Sequence, residues 1–140
     1  MTQKVKDLLL KDLCARLPYG VKVEYKNEIF DVEHVSSMYE EVKLDTYETW
    51  TVDVSDVKPY LFPLSSITEE QRNDISKLLI ETQNEYSPYG ELNMKGCDNL
   101  FICTVKQANV FINYCLTYHL DINGLIEKGL AIDATGLNIY

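Results

Sequence analysis

The sequence predicts an α+β fold with an N-terminal helix, a small bent antiparallel sheet, and then two to three helices. Three observations carry this: a four-residue apolar spacing within residues 1 to 18, a switch to two-residue alternation between 19 and 63, and a return to helical spacing behind capping signals from 64 to 140. At 140 residues, with 46% apolar and 25% charged side chains, the chain reads as one domain, long enough to bury about two-thirds of its unfolded surface without cross-links.

In the first segment Val5, Leu9, Leu13 and Leu17 fall four apart. Leu8, Leu10 and Cys14 widen the stripe, while Lys4, Lys6, Lys11, Asp12 and Arg16 lie mostly opposite. Such a pattern makes an amphipathic helix with one buried face. Pro18-Tyr19-Gly20 should stop it, because proline disfavours helix at Leu17 and glycine permits the following turn.

From Val21 the period is two. Val21, Val23 and Tyr25 alternate with Lys22, Glu24 and Lys26, and after Asn27-Glu28 the chain continues as Ile29 to Val35, the signature of a hairpin. Further strand-like runs follow at Val42-Lys43-Leu44 and Thr49 to Val54. Ser55 to Pro63 then predicts a one-turn helix and a proline-bounded apolar stretch. Four or five short strands in so short a span imply a strongly bent sheet. This order of features over residues 20 to 62, from a glycine-led first strand to the closing Val57-Lys58-Pro59-Tyr60-Leu61, resembles a small SH3-like barrel. Such barrels bind peptides, nucleic acids or nothing, so the resemblance implies a fold and no function.

Thr68-Glu69-Glu70-Gln71 is a capping box and starts a helix expected from Glu69 to about Glu85. Residues 91 to 103 fit either a strand or the entry to the next helix. A second capping pattern, Thr104 with Gln107, precedes Ala108, Phe111, Ile112, Cys115, Leu116 and His119 at helical spacing. Asp121 and Gly129 bracket a short helix expected over Ile122 to Lys128. Leu130-Ala131-Ile132 can add a last strand, and the apolar ending Leu137, Ile139, Tyr140 reads as docked against a surface.

Composition narrows the function classes. The leucine-rich start is interrupted by Lys11, Asp12 and Arg16, too short and too polar for a signal or a membrane span, so a cytoplasmic protein without membrane contact is expected. Cys14, Cys97, Cys103 and Cys115 form no C-x-x-C pair and read as reduced thiols. The net charge is −9, with ten acidic and four basic side chains between residues 21 and 62. A surface of that sign repels phosphate backbones, so nucleic-acid binding is disfavoured.

No motif supplies a catalytic constellation. There is no G-x-S-x-G, no H-E-x-x-H and no phosphate-cradling glycine loop, and His34 near Asp31 and Glu33 has no nucleophile beside it. Cys97, Cys103, Cys115 and His119 lack the paired spacing of structural zinc, so neither a metal nor another cofactor is expected. What stands out instead is ten tyrosines and an acidic middle. Tyrosine joins a large apolar area to a polar tip and is favoured at interfaces. Tyr25, Tyr39, Glu40, Glu41, Asp45, Tyr47 and Trp50 are therefore the candidate binding residues.

Two stretches, Lys58 to Gln71 and His119 to Ala131, resemble a group of small uncharacterised proteins of gut bacteria and their phages or prophages. That resemblance implies an origin and no activity. The expectation is a non-enzymatic binding or adaptor protein acting through a protein partner or self-association. An acidic mimic of nucleic acid that inhibits a basic partner, or a small-molecule or nucleotide binder, is the alternative.

Overall fold

The computed structural model describes residues 1–46, 51–83, 91–96 and 99–140, of which 83, 91–96 and 99–104 as backbone alone. The chain divides into two compact units, Met1–Ser66 together with Leu116–Tyr140, and Ile67–Cys115.

The first unit opens with α1 (Gln3–Arg16). A 3-10 turn over Leu17–Tyr19 stops it, and Gly20 follows at φ +74°, a left-handed conformation that glycine adopts without steric cost. Five strands come next: β1 (Lys22–Tyr25), β2 (Glu28–Ser36), β3 (Glu41–Leu44), β4 (Thr51–Asp53) and β5 (Lys58–Leu61). The β1–β2 hairpin turns at Lys26 and Asn27, with φ +51° and +65°; two consecutive left-handed residues match the right-handed twist of the flanking strands. A 3-10 turn at Val54–Asp56 joins β4 to β5, and the Asp53 carboxylate accepts the Ser55 N–H at its start.

The five strands pair antiparallel in the order β4-β3-β2-β1-β5. Naming the remaining strands in chain order, β6 (Glu91–Gly96) and β7 (Asn99–Thr104) belong to the second unit, and β8 (Ile132–Asp133) joins the sheet beside β5. The α+β class holds, and the antiparallel sheet expected over residues 19 to 63 forms from β1 to β5; β8, beyond that span, adds to it parallel to β5, so the whole sheet is mixed. The chain reaches β8 by way of the whole second unit, and only a short hairpin return would impose the antiparallel direction.

Leu9, Leu10 and Leu13 of α1 close over the inward residues Val21, Val23, Val32, Val35, Val42, Leu44, Val52 and Leu61, and Leu125, Leu130 and Ala131 complete the cluster. Each fully buried leucine contributes roughly 2 kcal/mol from area removed from water. Arg16 and Asp12, placed opposite the apolar stripe by their spacing, are instead buried at 0% and 1% exposure. Arg16 Nε and Nη2 donate to Asp12 at 2.7 and 3.1 Å, and Nη2 also reaches the Leu120 carbonyl at 2.9 Å. Asn123 donates to the same Asp12 carboxylate at 2.8 Å. Further hydrogen bonds of this kind offset the cost of burying the pair, although Arg16 Nη1 is buried without a hydrogen-bond partner among the described residues.

The helix expected over 122–128 is a series of turns. Asp121 does cap it, accepting from the Leu125 and Ile126 N–H groups at 2.8 Å each, and Gly129 does turn left-handed at φ +69°. Between a cap and a stop so close together there is no room for the turns that make a helix self-sustaining.

In the second unit α2 (Glu69–Gln83) starts at the expected box: the Gln71 N–H donates to the Thr68 hydroxyl at 3.2 Å and the Thr68 N–H to Gln71 Oε1 at 2.9 Å. β6 and β7 form an antiparallel hairpin, which resolves the ambiguity at 91–103 in favour of strands. It leads into α3 (Val105–Thr117). Gln107 donates to the Leu79 carbonyl of α2 at 3.1 Å. Among the described residues no helix is long and apolar enough to cross a membrane.

Candidate functional site

Alternation along β1, β2, β3 and β5 turns one set of side chains away from the core, and the strand register decides how their charges meet. Lys22 lies opposite Asp31, and its ammonium contacts both carboxylate oxygens at 2.7 and 2.8 Å. Lys43 forms an ion pair with Glu33, and Glu24 lies opposite Lys58. The Tyr60 hydroxyl donates to Glu24 at 3.4 Å. The acidic strand residues are thus interleaved with lysines across the sheet. His34, the conceivable base, is exposed and lies in register with Lys43.

The charge is less balanced at the end of the sheet where β2 turns into β3. Ser37, Met38, Tyr39 and Glu40 make the connection, and Glu40 closes it at φ +56°. A left-handed non-glycine residue costs about 1 kcal/mol, and several bonds hold it there. Gln3 donates to the Glu40 carboxylate at 2.5 Å, Lys6 at 3.1 Å, and the Glu40 carbonyl accepts the Val54 N–H at 2.8 Å. Lys6 also contacts Asp53 at 2.9 Å, and hydrogen bonds to Asp53 and Glu40 raise its pKa. Hydrogen bonds from Ser55, then Lys6, hold the Asp53 carboxyl down at about 2. Above this anchored base Met38 and Tyr39 stand 81% and 70% exposed.

The expected binding residues are only partly brought together. Tyr39, Glu40 and Glu41 share this turn. Tyr25 sits at the other end of β2, half-buried, with its ring 6.4 Å from Phe30 and the Lys26 ammonium 4.9 Å from its centroid. Asp45 follows the far end of β3, where its N–H donates to the Asp31 carbonyl at 2.9 Å. Tyr47 and Trp50 lie outside the described residues. Sequence reasoning missed Met38, and it missed Gln3 and Lys6 as the anchors of the turn. The exposure of Met38 had a readable signal, a large apolar residue between Ser37 and Tyr39 outside any alternating run. The anchors had none, because they come from another element.

A second polar cluster lies in the same unit. His119 lies two residues past α3 in a left-handed conformation at φ +54°, its N–H donating to the Leu116 carbonyl at 3.2 Å. Its ring is buried and stacks on Tyr140, with centroids 3.7 Å apart and planes 9° apart. Burial, then the positive charges of Arg16 and Lys22, lower the His119 pKa to about 4. The Tyr140 hydroxyl donates to the Tyr60 carbonyl at 2.8 Å and accepts the Lys22 N–H at 3.2 Å; burial pushes this phenol up to about 12. The apolar ending therefore docks on its own unit. Cys14 is exposed and Cys115 buried. Cys97 lies outside the described residues, and Cys103 is described as backbone alone. Among the described residues no group of three His, Cys, Asp or Glu is placed to hold a metal ion.

The chain matches no protein family, no curated protein and no solved structure.

Proposed function

We propose that this chain is a non-enzymatic binding or adaptor protein acting through protein–protein interaction, with the β2–β3 turn as its contact surface. The observation that carries this reading is the exposure of Met38 and Tyr39, 81% and 70%, on a turn fixed from below by Gln3, Lys6 and Val54. Two adjacent large apolar side chains in water are a cost without a partner and a gain with one. A turn already held in shape loses little conformational freedom on binding, which strengthens association for the same contacts. Tyrosine suits the centre of such a contact, and Glu40, Glu41 and Asp53 around it favour a partner with basic groups at its rim.

The strand order β4-β3-β2-β1-β5 with a 3-10 turn between β4 and β5 supports an SH3-like reading of the sheet. The blocks Lys58 to Gln71 and His119 to Ala131 support a phage or mobile-element origin. The alternation of lysines with acids across the outer face weighs against mimicry of nucleic acid, which needs a run of one sign.

The test is affinity capture from host lysate with the native chain and a Met38→Ser/Tyr39→Ser variant, read by quantitative mass spectrometry, with folding compared by circular dichroism. A partner retained by the native chain and lost by an equally folded variant is the expected result. Identical captured sets from both proteins reject the turn as the contact surface.

A further inference from the structure

We infer that the notch where β1 and β5 separate, with His119 beside it, is a recognition site for a phenol and takes the tyrosyl side chain of an extended peptide segment, Tyr140 being its occupant within the chain. The strand register carries the first part. β1 and β5 pair at Glu24↔Lys58 and Val23↔Pro59. One step further the same register sets Lys22 opposite Tyr60, where an antiparallel ladder would join the Lys22 N–H to the Tyr60 carbonyl. The Tyr140 hydroxyl stands between those two groups instead, accepting from Lys22 N–H at 3.2 Å and donating to the Tyr60 carbonyl at 2.8 Å. A single hydroxyl satisfies a backbone donor and a backbone acceptor that the sheet leaves open, and only a group that both donates and accepts can do so.

The ring is recognised separately. The His119 imidazole lies parallel to it at 3.7 Å, and the Phe62 ring is tilted against it at 6.1 Å. His119 is held by its own backbone, its N–H on Leu116 and its carbonyl accepting the Phe62 N–H at 2.9 Å. Lys22, Tyr60, Phe62 and His119, which contact the phenol, belong to β1, to β5 and the residue after it, and to the turn after α3, all outside the segment that carries Tyr140. That segment leaves β8 through the bond from Ala134 N–H to the Leu61 carbonyl and a turn closed by Leu137 N–H on Ala134. Past Leu137 it is held by the half-buried Ile139 and by the Tyr140 ring and hydroxyl, and Tyr140 as a whole residue remains 42% exposed. A site made by the scaffold and filled by a lightly held segment accepts the same side chain from another peptide. The inference is independent of the reading of the β2–β3 turn.

The experiment uses the ¹⁵N-labelled full chain carrying Tyr140→Ala, titrated with the peptide Gly-Leu-Asn-Ile-Tyr and with Gly-Leu-Asn-Ile-Phe, and followed at the Lys22 amide and the His119 resonances. The tyrosine peptide is expected to shift both saturably and to bind at least about tenfold more tightly than the phenylalanine peptide, since a site built around a hydroxyl rejects the analogue without one. The native chain should need more peptide, because Tyr140 competes. Absence of saturable shifts, or equal binding of the two peptides, overturns the inference. If Tyr140→Ala loses its dispersed spectrum, Tyr140→Phe keeps the stacked ring, and displacement by the tyrosine peptide at the Lys22 amide is read against the same two outcomes.

Discussion

His119 shows how far a residue's role depends on what surrounds it. As a letter at the end of an apolar run it invites a metal-ligand reading, whereas in the fold its buried ring stacks on Tyr140 with Arg16 and Lys22 near enough to oppose a further positive charge. The pH consequence has a definite sign. The unfolded chain takes up this proton near 6.5 and the folded chain only near 4, so between those values the unfolded state binds more protons. The stabilising contribution is therefore full above about pH 6.5 and is lost as pH falls towards 4. It amounts to at most about 3 kcal/mol. Urea denaturation of the native chain and of His119→Phe, which keeps an aromatic ring in the stack, should give midpoints that diverge across this window. The native midpoint is expected to fall more steeply with acid; parallel curves would assign the acid sensitivity to other groups.

At the level of the element, local chemistry explains starts and stops well. The Thr68 and Gln71 box forms with both reciprocal bonds, and Gly20 and Gly129 turn left-handed where a helix or turn has to end. Thr68→Ala removes an exposed cap acceptor and leaves the Gln71 N–H without it, so it should destabilise the second unit by about 1 kcal/mol. Hydrogen exchange should quicken in the first turn of α2 well before it does in β1 to β5, and uniform acceleration through the whole chain would contradict that locality. Tertiary neighbours decided more for α1. Its leucines were legible from their spacing, but Arg16 is buried because Asp12 and the Leu120 carbonyl meet it there while Asn123 bonds the same Asp12 carboxylate, and Leu120 and Asn123 lie about a hundred residues from α1 in sequence.

For the molecule as a whole, a net charge of −9 coexists with lysines paired to acids at close range on the sheet. Exposed pairs of this kind are worth about 0 to 1 kcal/mol each. The excess carboxylates repel one another over longer distances, and such distances are the ones salt screens, the Debye length being about 10 Å at 0.1 M. Raising sodium chloride from about 10 to 150 mM should therefore increase the thermal midpoint, by roughly 2 to 5 °C for about 1 kcal/mol of relieved repulsion. Calorimetry at constant pH checks this. A falling midpoint would mean that the cross-strand pairs outweigh the repulsion.

The sequence by itself determined the α+β class, the order of the first five strands along the chain, the first hairpin, the capping box and the docked ending, since each rests on periodicity or on turn chemistry within a few residues. It also pointed to Tyr39, Glu40 and Glu41. Only the tertiary structure decided that Tyr25 and Asp45 lie away from that turn, that lysines break up the acidic set, that β8 pairs in parallel, and that the Tyr140 hydroxyl enters the ladder between β1 and β5. Periodicity tells which face a side chain occupies. It carries no information about which strand or segment lies opposite, and that pairing is what sets charge against charge and hydroxyl against backbone.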